Sequence, residues 1–391
     1  MNVVFAVDAI FAPLTGIGRY AHEVAIRLPL VEDIDSVQYL GMWGWMEAAG
    51  GFKRGADTGV SLQMNPVLTY LRRSMSKSVS AVEVYDGISE RWRKRLLGRA
   101  KGAVFHSPNY FVPDHDGPMV ATVHDLSIYR FPEMHPKASR RYFDLSFERS
   151  LKRVGALITD SETVRQEIIA DFAVPPNRIT AIHLGVSASF RPYSSQQVVE
   201  VLERYQLCYC GYMLAVATLE PRKKLDNLIE AYGFLPAQVR KKYPLVIVGA
   251  AGWLNERARK MIARGQEQGW LRYLGYVPQA ELPKIYAAAR GFAMISIYEG
   301  FGLPVLEAMA SGVPVLTSDC SCLPEVAGGA AMLVNPLDLD QITAQLARLL
   351  TDDDWRCVAV SRGLQRAAEL TWERCVRQTC AVYRSLVSAQ E

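Results

Sequence analysis

The feature that most constrains the fold of this chain is a short apolar run followed by a helical pattern, repeated along the sequence. Residues 2–7 are typical of a buried strand, and residues 16–28 follow with apolar side chains on one helical face. The same order recurs after further apolar runs, at residues 37–42, 103–106, 120–124 and 156–159. Strands that alternate with helices predict an α/β fold, in which helices cover a parallel sheet.

The pattern breaks near residues 185–197 and then restarts. The second block has strand candidates at 212–217, 244–249, 291–297 and 314–318, and helix candidates at 225–235, 282–289 and 303–310. We therefore expect two doubly wound domains, at 1–190 and 191–370, with parallel sheets that face each other across a cleft. A final helix within 371–391 is expected to pack back toward the first domain. Ligands of such sheets bind beyond the carboxyl ends of the strands.

Composition excludes several classes of function. The formal net charge of +4 is small for a chain of 391 residues, so a globally basic nucleic-acid binder is not expected. No apolar stretch is long enough to span a bilayer, and the first residues lack the pattern of a signal peptide, which favours a cytoplasmic protein. All His residues end at His183 and all Cys residues begin at Cys208, so free thiols are favoured over a zinc site.

Residues 298–307 are the most informative segment for chemistry. Glu299 follows a strand, Gly300 and Gly302 allow a ligand to approach the backbone closely, and a helix begins at about Leu303. The amides at that helix N-terminus would form an anion site, and Glu307 lies one turn further along. The alternative is that both glutamates are ordinary solvated acids.

Three adjacent cations follow the first strand of the second domain, at Arg222, Lys223 and Lys224. Cations at the start of a helix oppose the helix dipole, so a bound anion is the simpler explanation for them. A solvated helix start is the alternative. A nucleoside diphosphate would suit both this turn and the segment at 298–307.

The first domain contains weaker candidates. Gly16 and Gly18 belong to a G-x-G-x-x-A string that lies too far after its strand for a dinucleotide site, and we expect a flexible loop there that closes with Arg19. His124 ends a strand, and the neighbouring Asp125 is expected to fix its tautomer or to direct it toward a substrate hydroxyl. A satisfied structural histidine is the alternative. His106 is a weaker candidate at another strand end.

Residues 65–101 hold nine basic and three acidic residues. Ile88, Trp92 and Leu96 recur at helical spacing within this segment, which is the pattern of a basic amphipathic helix on an anionic membrane. The expected membrane or acceptor patch is Arg91, Trp92, Arg93, Lys94 and Arg95. The alternative is a domain helix that packs the apolar stripe inward.

Together these segments resemble the retaining glycosyltransferases of family 4, whose GT-B fold has two facing Rossmann-like domains. The most specific match is Y-E-G-F-G-L-P-V-L-E at 298–307. The others are T-G-I-G-R-Y at 15–20, V-H-D-L at 123–126, I-T-D-S-E-T-V-R at 158–165, H-L-G-V at 183–186, L-E-P-R-K at 219–223, L-G-Y-V-P at 274–278 and L-P-E-V-A-G at 323–328.

The resemblance implies that the second domain binds a nucleotide-sugar donor. Glu307 matches the acid that holds the ribose, and Glu299 matches the acid that contacts the donor sugar. Arg222 and Lys223 match the pair that stabilises the leaving diphosphate, and His124 matches a histidine near the reacting carbon. The remaining implied donor contacts are Gly16, Gly18, Tyr276, Val277, Gly300, Phe301, Gly302 and Leu303. One departure is that Ala217 and Thr218 replace a Gly-Arg pair that many members have at the strand end.

At subgroup level the chain looks most like bacterial mannosyl- or rhamnosyltransferases that use a GDP-sugar in O-antigen or exopolysaccharide synthesis. The resemblance implies retaining hexosyl transfer, without a metal or other cofactor, to a glycan or polyprenyl-diphosphate-linked acceptor at the inner membrane. The D-x-D strings at 33–35 and 338–340 are not expected to bind metal. An epimerase or phosphorylase of the same fold, or a non-catalytic nucleotide-sugar-binding protein, are the alternatives.

Overall fold

The computed structural model describes residues 1–10, 16–41, 44–46, 79–250 and 256–388, and the chain divides into two units. The first unit comprises residues 1–184 and 372–391, and the second comprises residues 185–371. The predicted boundaries were 190 and 370. The two passes of the chain lie side by side where the second unit begins and ends, since Val186 forms a parallel bridge with Thr371.

The first unit is built on a seven-stranded sheet with the order β3-β2-β1-β4-β5-β6-β7. All neighbouring strands are parallel except β2 and β3. The strands are β1 (Asn2–Ala6), β2 (Ser36–Gly41), β3 (Gly44–Met46), β4 (Val104–Ser107), β5 (Met119–Val123), β6 (Ala156–Thr159) and β7 (Ile179–Ala181). Strands β4, β5 and β6 are buried along their whole length, as expected for the centre of a covered parallel sheet.

Helices cover this sheet and complete its core. They are α1 (Gly16–Arg27), α2 (Val79–Leu97), α3 (Ser127–Arg130), α4 (Lys137–Arg153), α5 (Glu162–Phe172) and the C-terminal helix α15 (Trp372–Ser388). Short 3-10 turns lie at Leu28–Leu30, Pro132–Met134 and Pro176–Arg178. One buried cluster joins the sheet to α4 and α5 through Phe105, Phe143, Phe147 and Ile168.

Helix α15 belongs to the first unit, although the residues that precede it in the sequence, 185–371, form the second unit. Trp372 and Tyr383 are among the largest fully buried side chains, and the Tyr383 hydroxyl is hydrogen-bonded to His106 of β4. Arg27 of α1 also pairs with Glu373 at 2.9 Å. These contacts fix the end of the chain to the first unit.

The second unit contains a six-stranded parallel sheet with the order β10-β9-β8-β11-β12-β13. Its strands are β8 (Met213–Val216), β9 (Leu245–Val248), β10 (Leu271–Gly275), β11 (Gly291–Met294), β12 (Val315–Ser318) and β13 (Met332–Val334). The order reverses between β8 and β11, as in a doubly wound sheet. The α/β prediction with parallel sheets is confirmed.

The helices of the second unit are α6 (Ser195–Arg204), α7 (Leu225–Gly233), α8 (Ala237–Lys242), α9 (Glu256–Glu267), α10 (Leu282–Ala287), α11 (Leu303–Ala310), α12 (Leu323–Ala327), α13 (Leu339–Thr351) and α14 (Asp353–Glu369). A 3-10 turn, Pro221–Lys223, precedes α7. The core combines Tyr232 and Trp270 with aliphatic side chains from the sheet and from α13.

Candidate functional site

The loops after β8 and β11 lie side by side in the second unit, because these two strands are neighbours where the strand order reverses. Ligands of doubly wound sheets bind at this kind of position, outside the carboxyl ends of the strands. The backbone amide of Ile297, after β11, donates to the carbonyl of Arg222 at 2.9 Å, which joins the two loops directly. The predicted basic turn and the predicted Glu299 loop are therefore brought together.

The centre of the site is an ion-pair cluster of one carboxylate and two cations. Lys223 Nζ lies 2.5 Å from Glu299 Oε1, and Arg222 Nη1 lies 3.0 Å from Glu299 Oε2. Arg222 Nη1 also donates to the carbonyl of Tyr298 at 3.0 Å. Glu299 is only 7% exposed. Burial alone would raise its pKa, but the charges of Lys223 and Arg222 outweigh that effect and lower the pKa to about 2.

A second carboxylate holds Arg222 from the other side. Glu220 Oε2 accepts from Arg222 Nε at 3.1 Å, and Glu220 Oε1 accepts from the hydroxyl of Thr218 at 2.6 Å. Thr218 is one of the two residues that replace the Gly-Arg pair noted in the sequence analysis. Its hydroxyl orients Glu220, which in turn orients Arg222, so this chain fixes the arginine through neighbours in the same turn.

The glycine-containing loop leads into helix α11 as predicted. Gly302 has a φ of +98°, and a Cβ atom there would lie 2.7 Å from Cδ2 of Leu323, so only glycine fits without rearrangement. No side chain caps the helix at Gly302, and the first-turn amides of a helix lack acceptors within the helix. Phe301 is buried, and Glu307 is only 3% exposed on α11. Glu307 is therefore not a solvated surface acid.

Tyr276 and Val277 follow β10, at the edge of the sheet, with β9 between them and β8. Tyr276 is 61% exposed, and the side chain of Val277 is buried. Strand order therefore does not place these two predicted donor contacts beside the Glu299 cluster.

His124 lies at the carboxyl end of β5 in the first unit. Its Nδ1 lies 2.7 Å from Asp160 Oδ2, and its Nε2 lies 2.9 Å from the carbonyl of Pro108. The expectation that Asp125 fixes the ring was wrong, because Asp125 instead accepts from the amide of Ser127. Asp160 follows β6, the neighbour of β5, so the carboxyl ends of adjacent strands bring the pair together.

Both ring nitrogens of His124 face acceptors, which favours the doubly protonated imidazolium. Burial alone would lower the pKa of His124, but Asp160 and the carbonyl of Pro108 raise it above its ordinary value. His106 is the opposite case. It is fully buried between the hydroxyls of Tyr383 and Thr122, and burial lowers its pKa to about 3, so it is neutral and structural.

Gly16 and Gly18 lie in the first turn of α1. The expectation of a flexible loop at these residues was wrong, because the helix begins at Gly16. Thr15, the first residue of that motif, lies outside the described residues. A Cβ atom at Gly16 would meet none of the described residues outside its own helix and chain neighbours within 4 Å.

Helix α2 carries the predicted basic patch only in part. Ile88 and Trp92 are 64% and 44% exposed, and Arg91 and Arg95 are exposed beside them. Including Arg93 in the patch was wrong, because it is 5% exposed and its guanidinium lies 2.6 Å from Asp8. Residues 65–78, with Arg72, Arg73 and Lys77, lie outside the described residues.

Two expected absences concern metals and membrane spans. Within the described ranges, no group of three or more His, Cys, Asp or Glu side chains is placed to hold a metal ion. In the D-x-D strings, Asp35 pairs with the N-terminal amine and Asp338 caps α13. None of the described helices combines the length and apolarity needed to cross a bilayer.

The chain is similar to known glycosyltransferases over most of its length. The profile described as glycosyl transferases group 1 matches residues 211–365, and that of glycosyltransferase family 4 matches residues 84–190. The chain is 39% identical to the O-antigen chain mannosyltransferase B of Escherichia coli, covering 99% of this chain and 100% of the relative. It is 31% identical to an MMP alpha-(1->4)-mannosyltransferase of Mycolicibacterium hassiacum, covering 69% of this chain and 66% of that one.

Solved structures show the same fold. The crystal structure of HepE from Anabaena in complex with UDP and glucose aligns with a TM-score of 0.70 at 16% identity, covering 99% of this chain and 100% of that chain. Sucrose-phosphate synthase from Thermosynechococcus elongatus also aligns with a TM-score of 0.70, at 19% identity, over the full length of both chains.

Proposed function

The chain belongs to family 4 of the glycosyltransferases, with the GT-B fold, and from that premise we propose that it moves a mannose-like hexose from a GDP-sugar to a hydroxyl of a growing surface polysaccharide. The observation that carries this proposal is the cluster of the buried Glu299 with Lys223 and Arg222 at the switch point of the second sheet. Two cations beside a helix N-terminus suit the diphosphate of a nucleotide sugar. The relatives that are mannosyltransferases support mannose as the sugar.

In the proposed reaction, charge develops on the diphosphate as the glycosidic bond breaks. Lys223, Arg222 and the first amides of α11 would stabilise that charge, and this electrostatic contribution needs no metal ion. Glu299 would contact hydroxyls of the sugar, and Glu307, one turn into α11, would hold the ribose. We propose retention of configuration, with the leaving phosphate oxygen taking the proton of the acceptor.

His124 enters the proposal as a cationic side chain and not as a general base. A general base needs a nitrogen with a free lone pair, whereas both nitrogens of His124 face acceptors. Its part would be to add positive charge at the carboxyl edge of the first sheet.

The experiment that tests donor binding begins with thermal-shift measurements against GDP-, UDP- and ADP-sugars, because a bound donor raises the apparent stability by mass action. With the best donor, we expect Glu307→Gln to weaken binding by about tenfold or more in calorimetry, since a charged hydrogen bond is lost. The variant should lose little affinity for the 2′-deoxy analogue of that donor, which lacks a ribose hydroxyl. Glu230→Gln, on helix α7, is the matched control.

Equal donor affinity in Glu307→Gln and in the wild type would contradict the ribose assignment. The absence of stabilisation by any of the three nucleotide sugars would contradict the proposed function as a whole.

We also propose that the protein works at the cytoplasmic face of the inner membrane, on a lipid-linked acceptor. The support is the outward face of α2. Its acids turn toward α4, where Asp86 and Glu90 pair with Arg149. This leaves Ile88 and Trp92 on a surface whose exposed charges include Arg91 and Arg95, as in helices that bind anionic membranes.

We expect the protein to bind vesicles that contain anionic lipid more strongly than neutral vesicles, and to lose this preference as salt is raised. Changing Arg91, Arg95 and Arg99 to Gln should weaken binding by about 100-fold, at roughly 1 kcal/mol for each arginine near the surface. The same change at the exposed residues Arg259, Lys260 and Arg264 of α9 is the control. Equal loss in both variants, or no loss in either, would contradict the α2 surface.

A further inference from the structure

The loop that carries Glu299 is held by side chains of the segment that follows it in the sheet. Strands β11 and β12 pair in parallel only from Phe292 to Met294 and from Val315 to Thr317. From the last of these pairs onward, hydroxyls and thiols of residues 317–322 bond to backbone carbonyls of residues 294–301. We call this series of contacts the side-chain ladder.

The first steps of the side-chain ladder lie next to the strands. The hydroxyl of Thr317 donates to the carbonyl of Met294 at 2.8 Å, and that of Ser318 donates to the carbonyl of Ser296 at 2.6 Å. The thiol of Cys320 lies 3.5 Å from the carbonyl of Ile297. Each step follows the β11 chain further toward Glu299.

The last steps reach Glu299 itself. The hydroxyl of Ser321 donates to the carbonyl of Glu299 at 2.7 Å and accepts from the amide of the same residue at 3.1 Å. The buried thiol of Cys322 lies 3.1 Å from the carbonyl of Glu299 and 3.2 Å from that of Phe301. Both backbone polar groups of Glu299 are therefore held by a single hydroxyl.

Ser321 adopts a backbone conformation that is costly for a residue other than glycine. Its φ is +57°, in the left-handed region. Such conformations persist where the surrounding structure requires them. Here the conformation accompanies a hydroxyl contact to both the amide and the carbonyl of one residue.

We call the contacts of Ser321 and Cys322 with the backbone of Glu299 the clamp. It matters because the residues after Glu299 include two glycines, Gly300 and Gly302, which permit many backbone conformations. In the ligand-free structure the Glu299 carboxylate lies 2.5 and 3.0 Å from Lys223 and Arg222 on a different loop, and it is proposed to turn toward the sugar from this same backbone position. A shift of about 1 Å in a positioned group is enough to cost about 100-fold in rate.

We infer that Ser321, with Cys322 behind it, is a positioning residue that fixes the backbone of Glu299 for sugar transfer. This inference rests on the proposed function of Glu299. It assigns no substrate contact to Ser321, which acts only through the loop.

The test compares Ser321→Ala and Ser321→Gly with the wild type. Both remove the hydroxyl, but only glycine also relieves the left-handed conformation. We expect kcat to fall by about 10- to 100-fold in both variants. We expect the Kd for bare nucleoside diphosphate to change by less than about threefold, because Lys223 and Arg222 remain. Ser321→Cys keeps a weak donor and acceptor and should recover part of the rate.

Ser318→Ala is the matched control, because it removes a buried hydroxyl bond one step earlier in the side-chain ladder without contact to Glu299. It should lower the melting temperature as much as Ser321→Ala does and leave kcat near that of the wild type. Hydrogen exchange supplies a readout that does not depend on activity. The amides of residues 299–302 should exchange faster in both Ser321 variants than in Ser318→Ala.

The outcomes separate the clamp from the proposed function. Wild-type transfer with undiminished kcat in Ser321→Ala and Ser321→Gly would overturn the clamp, as would an equal loss of kcat in Ser318→Ala. Unchanged exchange of residues 299–302 in the Ser321 variants would also overturn it. A wild-type protein that transfers no sugar, with faster exchange in the Ser321 variants, would contradict the proposed function and leave the clamp standing.

Discussion

We expect Glu299→Gln to bind a bare nucleoside diphosphate about tenfold more tightly than the wild type, a difference of about 1.4 kcal/mol, while kcat for sugar transfer falls by about 10²- to 10³-fold. Diphosphate affinity rises because Glu299 forms ion pairs with both cations that the diphosphate is proposed to need. The value of kcat falls because Glu299 is also proposed to contact the sugar. Lys223 and Arg222 lie 2.5 and 3.0 Å from its carboxylate oxygens. Glutamine keeps the shape of the side chain and removes the competing charge.

The cluster is close to neutral before donor binding. Two carboxylates, Glu220 and Glu299, pair with the two cations Arg222 and Lys223. A diphosphate can gain full contact with the cations only if it displaces a carboxylate. Glu220 is held in its own turn by Thr218, so Glu299 is the carboxylate we expect to leave and to turn toward the sugar.

Calorimetry with the nucleoside diphosphate and with the complete donor measures both halves of this expectation. The wild type should gain affinity from the sugar, whereas Glu299→Gln should gain little. The ratio of the nucleoside diphosphate Kd of the wild type to that of Glu299→Gln should not vary between about pH 5 and pH 8. The reason is that a pKa of about 2 keeps Glu299 ionised throughout that range. Glu230→Gln is again the control.

The free energy of unfolding gives a second measure of the ion pairs between Glu299 and the two cations. The pKa of Glu299 is lowered from its ordinary value of 4.5, so the stabilisation by its ion pairs is complete above about pH 4.5 and is lost as the pH falls toward 2. Removing the carboxylate leaves two partly exposed cations less well compensated, which we expect to cost about 3 kcal/mol in the absence of ligand. A Glu299→Gln protein that binds diphosphate more weakly than the wild type would contradict the competition.

The fold was predictable because the strongest signals in the sequence are local. Long apolar runs such as those of β1, β5 and β9 are buried on both faces of a parallel sheet, so their hydrophobicity is continuous and easily seen. The short edge strands β7 and β13 were missed, since three residues give no periodicity. Strand β10 was missed because Arg272 and Tyr273 interrupt its apolar character.

The site was predictable to the level of which loops meet, but not of which atoms pair. Parallel neighbours end at the same edge, which places Glu299 beside Lys223. The sequence did not show that the two cations contact Glu299 itself, or that Glu220 and Thr218 support Arg222. These contacts depend on side-chain directions within turns, which no periodic pattern encodes.

The same limit explains the errors in the first unit and on α2. Asp125 is the sequence neighbour of His124, but Asp160 is its spatial neighbour, through the pairing of β5 with β6. Arg93 has the same charge as the residues on either side of it, yet the helical turn directs it inward to Asp8. Local composition identified the basic helix without identifying its exposed face.

Lys223→Ala is expected to have the largest effect among single substitutions in the basic turn, and Lys224→Ala is its built-in control. The two lysines are adjacent and both are partly exposed. Lys223 forms an ion pair with Glu299, whereas Lys224 is the N-cap residue before α7 and has a φ of +48°. We expect Lys223→Ala to lower kcat by about 10²- to 10³-fold, because a cation beside the developing charge is lost. Lys224→Ala should change kcat by less than about threefold.

A double-mutant cycle shows whether Lys223 acts on the diphosphate or only on Glu299. In the wild type, part of the attraction of Lys223 for a diphosphate is offset by its ion pair with Glu299. Lys223→Ala should therefore weaken nucleoside diphosphate binding more in the Glu299→Gln background than in the wild type, with a coupling of about 1 kcal/mol or more. If Lys223 served only to neutralise Glu299, its removal from Glu299→Gln would leave diphosphate affinity unchanged, and that result would contradict its place in the donor site.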